Sequence, residues 1–417
     1  MPSLLSAPGA PHSPLRTSRL LHERVRRFAE LATDPPLVRP ADADDFDTLA
    51  LDIAHFQATE CPGYARLLDG AEQLAPGELD RLPAVPAEAF RLARVAAHPS
   101  DLDSYVFQSS GTTADQSARH AVRDIGTYET LALCLGRQTL FRHLDRAVVV
   151  ALAPPPGPKI TSSLTFMMAL YMREFDGRAL TASPSGAPFS PFAFERWLFT
   201  SGQPDPTALE RAARVARARH EPLVLLSTSF ALASLLEGLD EEELDLPKGS
   251  LVMLTGGFKG RKTELDESAL RRAAARTFRI PAAAILAEYG MTELTSQLYE
   301  AWSGPSRDLP ARDASALARR PTWWPEGGEP GRYHCPPWLR VSVVDPVTHA
   351  RLPDGQVGVA RFIDLGNVDS ALCVVTEDLA RTTEAGLELL GRRPGAEARG
   401  CSLPFEGLLR GPGRTLW

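Results

Sequence analysis

Lysine is nearly missing from this chain. Only Lys159, Lys248, Lys259 and Lys262 occur, so arginine carries almost all the positive charge. Acidic residues still outnumber basic ones, 52 Asp and Glu against 45 Lys and Arg, and the net charge is −7 with both signs interspersed. That balance leaves no basic footprint, so no nucleic-acid partner is expected. The five cysteines, Cys61, Cys134, Cys335, Cys373 and Cys401, are scattered and form no C-x-x-C pair. A zinc site and a disulfide framework are thereby disfavoured, and a reducing cytosol fits. No run of about 18 apolar residues exists, so no membrane span is expected. No apolar core follows a basic start at the N-terminus; no signal peptide and a cytoplasmic location are the expectation. The G-x-x-x-x-G-K-[ST] phosphate loop is also missing, which excludes a P-loop NTPase. No internal repeat is visible.

What is present reads as a soluble α/β chain. At 417 residues and 44% apolar, it exceeds one average core and predicts two or three subdomains. Residues 1–18, rich in Pro, Ser and Ala, read as a loose arm. Apolar residues from Thr17 to Ala32 have helical spacing, and residues 43–96 read as mostly helical, broken at Pro62, Pro76, Pro83 and Pro86. Continuous apolar runs at Ala147–Leu152, Pro222–Ser227, Leu251–Thr255 and Ile285–Tyr289 read as buried strands. Helical stretches at Ile160–Met172, Leu209–Arg219, Phe230–Leu239 and Glu264–Thr277 alternate with them, the last opened by a capping box of Thr263 and Asp266. Strand–helix alternation of this kind implies a mainly parallel sheet flanked by helices. After about residue 300 the texture changes. Prolines at 305–337 suggest a long connection. Short alternating runs at Arg340–Val344, Val357–Phe362, Leu372–Val375 and Leu387–Leu390 then read as a small antiparallel or barrel-like β subdomain. The division expected is 1–18 arm, 19–300 α/β core, 301–391 linker and β subdomain, and 392–417 short tail.

Two segments carry chemistry. Ser109-Ser110-Gly111-Thr112-Thr113 follows a short strand, Tyr105–Phe107, and supplies what a triphosphate needs: a glycine that lets backbone N–H groups turn to an anion, among four hydroxyls. Glu288-Tyr289-Gly290-Met291-Thr292-Glu293 puts a ring, a hydroxyl and a carboxylate within a few residues. That set can pack on a base, bond a phosphate and hold magnesium. Thr255-Gly256-Gly257 ends the preceding strand, where paired glycines allow close approach of a flat ligand. Each segment alone could be an ordinary polar turn; adjacent strands ending this way say more. The apolar run Phe166, Met167, Met168, Leu170 and Met172, with Phe230, could line an acyl pocket but reads better as core.

In this order SSGTT, TGG, YGMTE, Thr376-Glu377-Asp378 and Gly391-Arg392 resemble the adenylate-forming superfamily of acyl-CoA synthetases, luciferases and adenylation domains, over roughly residues 85–393. Gly256-Gly257-Phe258-Lys259-Gly260-Arg261 with EYGMTELTSQ is most similar to the acyl-protein synthetases (long-chain fatty acid–protein ligases) of bacterial luminescence operons. The resemblance implies ATP and magnesium as cofactors and activation of a fatty or other carboxylic acid to acyl-AMP. The acyl group would then pass to a cysteine, with a reductase or carrier protein as acceptor partner. It implies Ser109, Ser110, Gly111, Thr112 and Thr113 on the β- and γ-phosphates, and Gly256 and Gly257 along the adenine, with Tyr289 packed on the base in the Gly290-Met291 turn. Thr292 would take the α-phosphate, Glu293 the magnesium, Asp378 the ribose hydroxyls, and Arg392 the hinge.

The chain departs from that pattern in two places. The phosphate loop continues Ala114-Asp115-Gln116-Ser117-Ala118-Arg119, leaving Arg119 where a lysine is usual. The family's C-terminal lid with its catalytic lysine is expected to be truncated, because the 25 residues after Arg392 include no lysine. Lys259 or Lys262 is the substitute available. Cys401, beside Arg399 in the tail, is the candidate acyl acceptor, since a nearby guanidinium favours the thiolate. An acyl- or aryl-CoA ligase of the phenylacetate type, and a non-catalytic nucleotide-binding relative, stay open as alternatives.

Overall fold

Leu21, Val25 and Ala29, one turn apart, are buried along one face of helix α1 (Pro14–Thr33) in the computed structural model. The structure describes residues 14–34, 40, 42–67, 74–109, 117–157, 161–180, 190, 194–239, 243–256, 267–302, 323–325 and 327–394. Within the described residues helix α1 runs from Pro14, three residues before the apolar spacing begins. Within 43–96 only α2 (Phe46–Glu60) is a long helix. Asp45 caps it by accepting from the Thr48 N–H at 2.9 Å. Beyond it α3 (Pro62–Ala65) and α4 (Ala89–Leu92) are single turns, with β1 (Val85–Pro86) between them. The expectation of a mostly helical stretch therefore holds only for its first part: each proline lacks the N–H that a helix interior needs. Strands β2 (Tyr105–Gln108) and β3 (Arg119–Val122) form an antiparallel pair, followed by α5 (Ile125–Gln138).

The four apolar runs form the parallel part of the main sheet. They are β4 (Val148–Leu152), β7 (Leu223–Thr228), β8 (Leu251–Thr255) and β9 (Ile285–Tyr289), hydrogen-bonded in parallel in the order β9-β8-β7-β4. Every residue of β4, β7 and β8 is buried, which is why these strands read as unbroken apolar runs. The flanking helices are α6 (Ser163–Phe175), α7 (Pro206–Ala218), α8 (Ser229–Gly238) and α9 (Glu267–Phe278). A small hairpin of β5 (Phe199–Thr200) and β6 (Gln203–Pro204) precedes α7. Thr228 ends β7 and also caps α8, accepting from the Ala231 N–H at 3.2 Å, so strand passes to helix without a linker. Phe166, Met167, Met168, Leu170 and Met172 of α6 are all core residues.

The antiparallel strands expected late in the chain are β12 (Leu339–Val344), β13 (Gly358–Asp364), β14 (Cys373–Thr383) and β15 (Gly386–Arg392). Two short strands, β10 (Leu298–Glu300) and β11 (Arg332–His334), join them to the parallel set. The path runs β12-β13-β14-β15-β11-β10-β9-β8-β7-β4, with β1 parallel to β14, making one sheet of 11 strands. This continuity brings Asp378 and Arg392, paired across β14 and β15, toward the end of β9. No helix among the described residues is long and apolar enough to cross a membrane.

Candidate active site

Parallel strands put their carboxyl ends on one edge of a sheet, where ligands of α/β proteins bind. Here β8 and β9 end at Thr255 and Tyr289, beside the Thr228–Ser229 start of α8. A cleft of about 1040 Å³, counted out to open solvent, lies over these ends. Ser109, Gly256, Tyr289, Gly290, Met291, Thr292, Glu293, Asp378 and Arg392, all singled out in the sequence, line it. Ser110, Gly111, Thr112, Thr113, Gly257, Lys259, Lys262 and Cys401 lie outside the described residues, as does the capping box of Thr263 and Asp266. Arg119 is exposed on β3 opposite Gln108 and is not part of the cleft wall.

One wall is aromatic and acidic. The Tyr289 hydroxyl donates to Asp378 Oδ2 at 2.7 Å, and its ring lies nearly parallel to Phe362, with centroids 6.0 Å apart. Arg392 Nε stands 3.3 Å from Asp378 Oδ1. Burial, then the Asp378 charge, pushes the Tyr289 phenol well above its ordinary value, so it stays a donor. Thr376 Oγ1 accepts from the Asp378 N–H at 3.1 Å and fixes the strand there.

The floor is the loop after β9. Thr292 and Glu293 are each 3% exposed. His120 Nδ1 donates to the Thr292 carbonyl at 2.8 Å, and burial pushes the His120 imidazole down to about 4, so it is neutral at pH 7. Asn367 Nδ2 donates to the Glu293 carbonyl at 3.0 Å, while Asn367 Oδ1 accepts from Thr295 N and Oγ1. Asp364 accepts from the Thr295, Ser296 and Gly366 N–H groups, each at 2.9 Å, and from Ser296 Oγ at 2.6 Å. The 364–372 turn is fastened in its own right. Asp369 takes His22 Nε2 at 2.9 Å, Arg123 Nε at 3.0 Å and the Ser18 hydroxyl. Burial would raise the Asp369 carboxyl, but His22, Arg123 and Ser18 hold it down to about 2. The loop bearing Thr292 and Glu293 is thus bolted through the 364–372 turn to α1.

Ser109 closes the base of the hydroxyl-rich segment: its N–H donates to the Ala118 carbonyl at 3.0 Å and its Oγ accepts from the Ala118 N–H at 2.8 Å. Gly256 has φ +73°, a conformation that favours glycine, at the point where β8 opens into the cleft. Glu288 was quoted in the motif without a role of its own. It is 4% exposed, accepts from the Thr255 hydroxyl, and burial raises its carboxyl to about 7, with only Thr255 opposing. Asp364, Asn367 and His120 were not singled out at all. The one signal was a polar cluster, Asp364 to Ser370, between two apolar strands.

No protein-family model matches the chain, and no curated protein matches it. Solved structures do. An open conformation of 2-hydroxyisobutyryl-CoA ligase, in complex with 2-HIB-AMP and CoA, has a TM-score of 0.53 and 13% identity over 88% of this chain and 82% of that one. The same ligase in its postadenylation state with R3-HIB-AMP has a TM-score of 0.52 and 12% identity, covering 90% of this chain and 77% of that one. With 2-HIB-AMP instead, the TM-score is again 0.52, at 13% identity over 90% and 78%. Identity this low speaks to the fold: the chain has the α/β fold of an adenylate-forming enzyme, a parallel-rich sheet flanked by helices.

Proposed function

We propose that this protein activates a carboxylic acid with ATP as an acyl-adenylate and then passes the acyl group to a thiol. The observation that supports it most is the convergence of Tyr289, Asp378 and Arg392 with the pinned Thr292–Glu293 loop and Ser109 in one cleft. In this reading the base packs on Tyr289 beside Gly256 and Gly257. Asp378 accepts from the ribose hydroxyls, since a carboxylate has about four lone-pair sites and here gives one to Tyr289. Thr292 bonds the α-phosphate, and Ser109 to Thr113 hold the outer phosphates. Arg392, on the last strand, is the hinge position.

The donors fit magnesium. Glu293 is a buried acidic residue that lines the same cleft as Thr292 and Ser109, and magnesium takes one or two carboxylates together with phosphate oxygens. An ion held there would supply charge neutralisation on the transferring phosphoryl. The acid's carboxylate oxygen attacks the α-phosphorus and pyrophosphate leaves. A thiolate then attacks the acyl carbonyl and AMP leaves. The resemblance to luminescence acyl-protein synthetases adds the finer elements: Cys401 as the thiol, Lys259 as the cation near the reacting phosphate, and a reductase or carrier protein downstream. Free coenzyme A is the competing thiol, because CoA stands in the solved ligase of like fold.

Acid-dependent ATP–pyrophosphate exchange tests the first half, and mass measurement of acylated protein tests the second. Cys401→Ala should keep exchange and lose the acyl label. Label that persists removes Cys401 from the scheme, and acyl-CoA formed with free CoA favours the competing thiol.

A further inference from the structure

Successive side chains of a strand point to opposite faces. On β13, Phe362 faces Tyr289, so its neighbour Arg361 points to the other side of the sheet. There it lines a second pocket, of about 890 Å³ counted out to open solvent, between β12, β13 and the helical turn Leu79–Arg81. No residue of this pocket's wall belongs to the cleft already described.

Arg361 is the one basic residue of β13 and is only 3% exposed. Its Nη2 donates to the Leu82 carbonyl at 2.7 Å and the Leu79 carbonyl at 3.0 Å, and the guanidinium also bonds the Cys373 thiol. Its Nη1 has the Ser342 hydroxyl at 3.5 Å and Asp80 Oδ1 at 4.0 Å. The same Asp80 is held more closely by Arg351, whose Nη1 donates to Oδ2 at 2.9 Å. The third arginine of the wall, Arg340, lies over the Phe46 ring and is paired with Asp47 Oδ1 at 2.5 Å, while Asp47 Oδ2 takes the Gly77 N–H at 2.6 Å. Asp354, which takes the Thr382 hydroxyl at 2.7 Å, is not part of the wall. Among the described lining residues three guanidinium groups thus meet two carboxylates. Carbonyls satisfy the N–H groups of Arg361 but bring no countercharge, and a buried charge is costly unless it is paired. The uncompensated charge sits at the inner wall of a pocket that solvent reaches.

We propose that this pocket is a second ligand site, separate from the cleft, and that it takes a phosphoryl anion between Arg361, Arg351 and the Ser342 hydroxyl. Guanidinium forks match phosphate oxygens in paired hydrogen bonds. Ser342 and Arg361 stand opposite each other on adjacent strands, and Arg351 lies in the connection between those strands. Donors placed this way approach from several sides, which suits a tetrahedral group better than a flat carboxylate. Asp80 competes for the same two arginines, so an anion with more than one negative charge is favoured over a singly charged one.

Calorimetric titration of the full chain at constant ionic strength tests this, with inorganic phosphate, pyrophosphate and acetate as probes. Inorganic phosphate or pyrophosphate should bind with a Kd of about 1 mM or tighter, and acetate about tenfold more weakly or worse. Tighter binding of pyrophosphate assigns the pocket to a diphosphate, and tighter binding of inorganic phosphate to a single phosphoryl group. Asp80→Asn should tighten the preferred probe by about threefold or more, a gain that a purely structural role for Asp80 would not give, and Arg351→Ala should weaken it by a similar factor. Arg361→Lys keeps the charge but loses the fork, and should weaken binding about tenfold. Where that buried change unfolds the chain, the two surface variants decide alone. Thr292→Ala, a change in the cleft, should leave the affinity as it is. The proposal is overturned if neither phosphate probe binds, if acetate binds as tightly, or if Asp80→Asn and Arg351→Ala leave the affinity unchanged. Loss of binding in Thr292→Ala overturns it too, because the anion then sits in the cleft.

Discussion

Replacing Glu288 by glutamine should stabilise the protein, and only at the alkaline side of its range. The carboxyl sits in an interior that raises it from its ordinary 4.5 to about 7. The folded protein therefore binds this proton more tightly than the unfolded chain does. Its contribution is fully present below the unfolded value near 4.5 and is eroded as pH rises through about 7, beyond which it is flat. The whole gap is worth about 3 kcal/mol. Glutamine cannot ionise, still offers an oxygen to the Thr255 hydroxyl, and has nearly the same shape. Urea denaturation of both proteins at pH 5 and pH 8 isolates the effect, because His120, Asp369 and every other titrating group are common to the pair. The advantage of Glu288→Gln should grow by about 2–3 kcal/mol between the two pH values. A difference that stays constant with pH would falsify the assignment of Glu288 as a carboxyl neutralised by burial.

Two further outcomes test the geometry around it. Gly290→Ala places a Cβ against Glu288 Oε1 and should cost about 1–3 kcal/mol by overpacking. The cost should largely vanish in the Glu288→Ala background, and a double-mutant cycle with no coupling refutes the contact. Asn367→Ala removes the hydrogen bonds to Glu293 O, Thr295 N and Thr295 Oγ1, and should lose about 1–3 kcal/mol of stability. If the loop serves magnesium and phosphate, KM for Mg-ATP should rise while KM for the acid stays near wild type; an equal rise in both makes Asn367 structural only.

The parallel strands were legible because burial on both faces leaves little polar to interrupt them. Leu251–Thr255 and Ile285–Tyr289 match their apolar runs end to end. Strands β10 and β11 were not legible: three residues each hold no period to read, and their pairing is decided by neighbours distant in sequence. The same reason separates the parts of the site. Tyr289, Thr292 and Glu293 lie in one local motif. Asp364 and Asn367, which hold that motif in place, lie about seventy residues on, and only the folded contacts reveal them. Glu288 was in plain view, but its direction follows from strand alternation, which the motif does not state.

The fastening of Asp369 sets an order of assembly. His22 and Asp369 are 347 residues apart along the chain, yet their bond anchors the turn that grips the Thr292–Glu293 loop. During synthesis the first helix emerges early and waits, its histidine without its carboxylate, until the last strands are made. Only then can the cleft floor set. Contacts this far apart slow folding, because the loop must close before the contact rewards it. The cleft should thus be among the last regions of the molecule to gain protection from hydrogen exchange during refolding, well after the parallel strands beneath it.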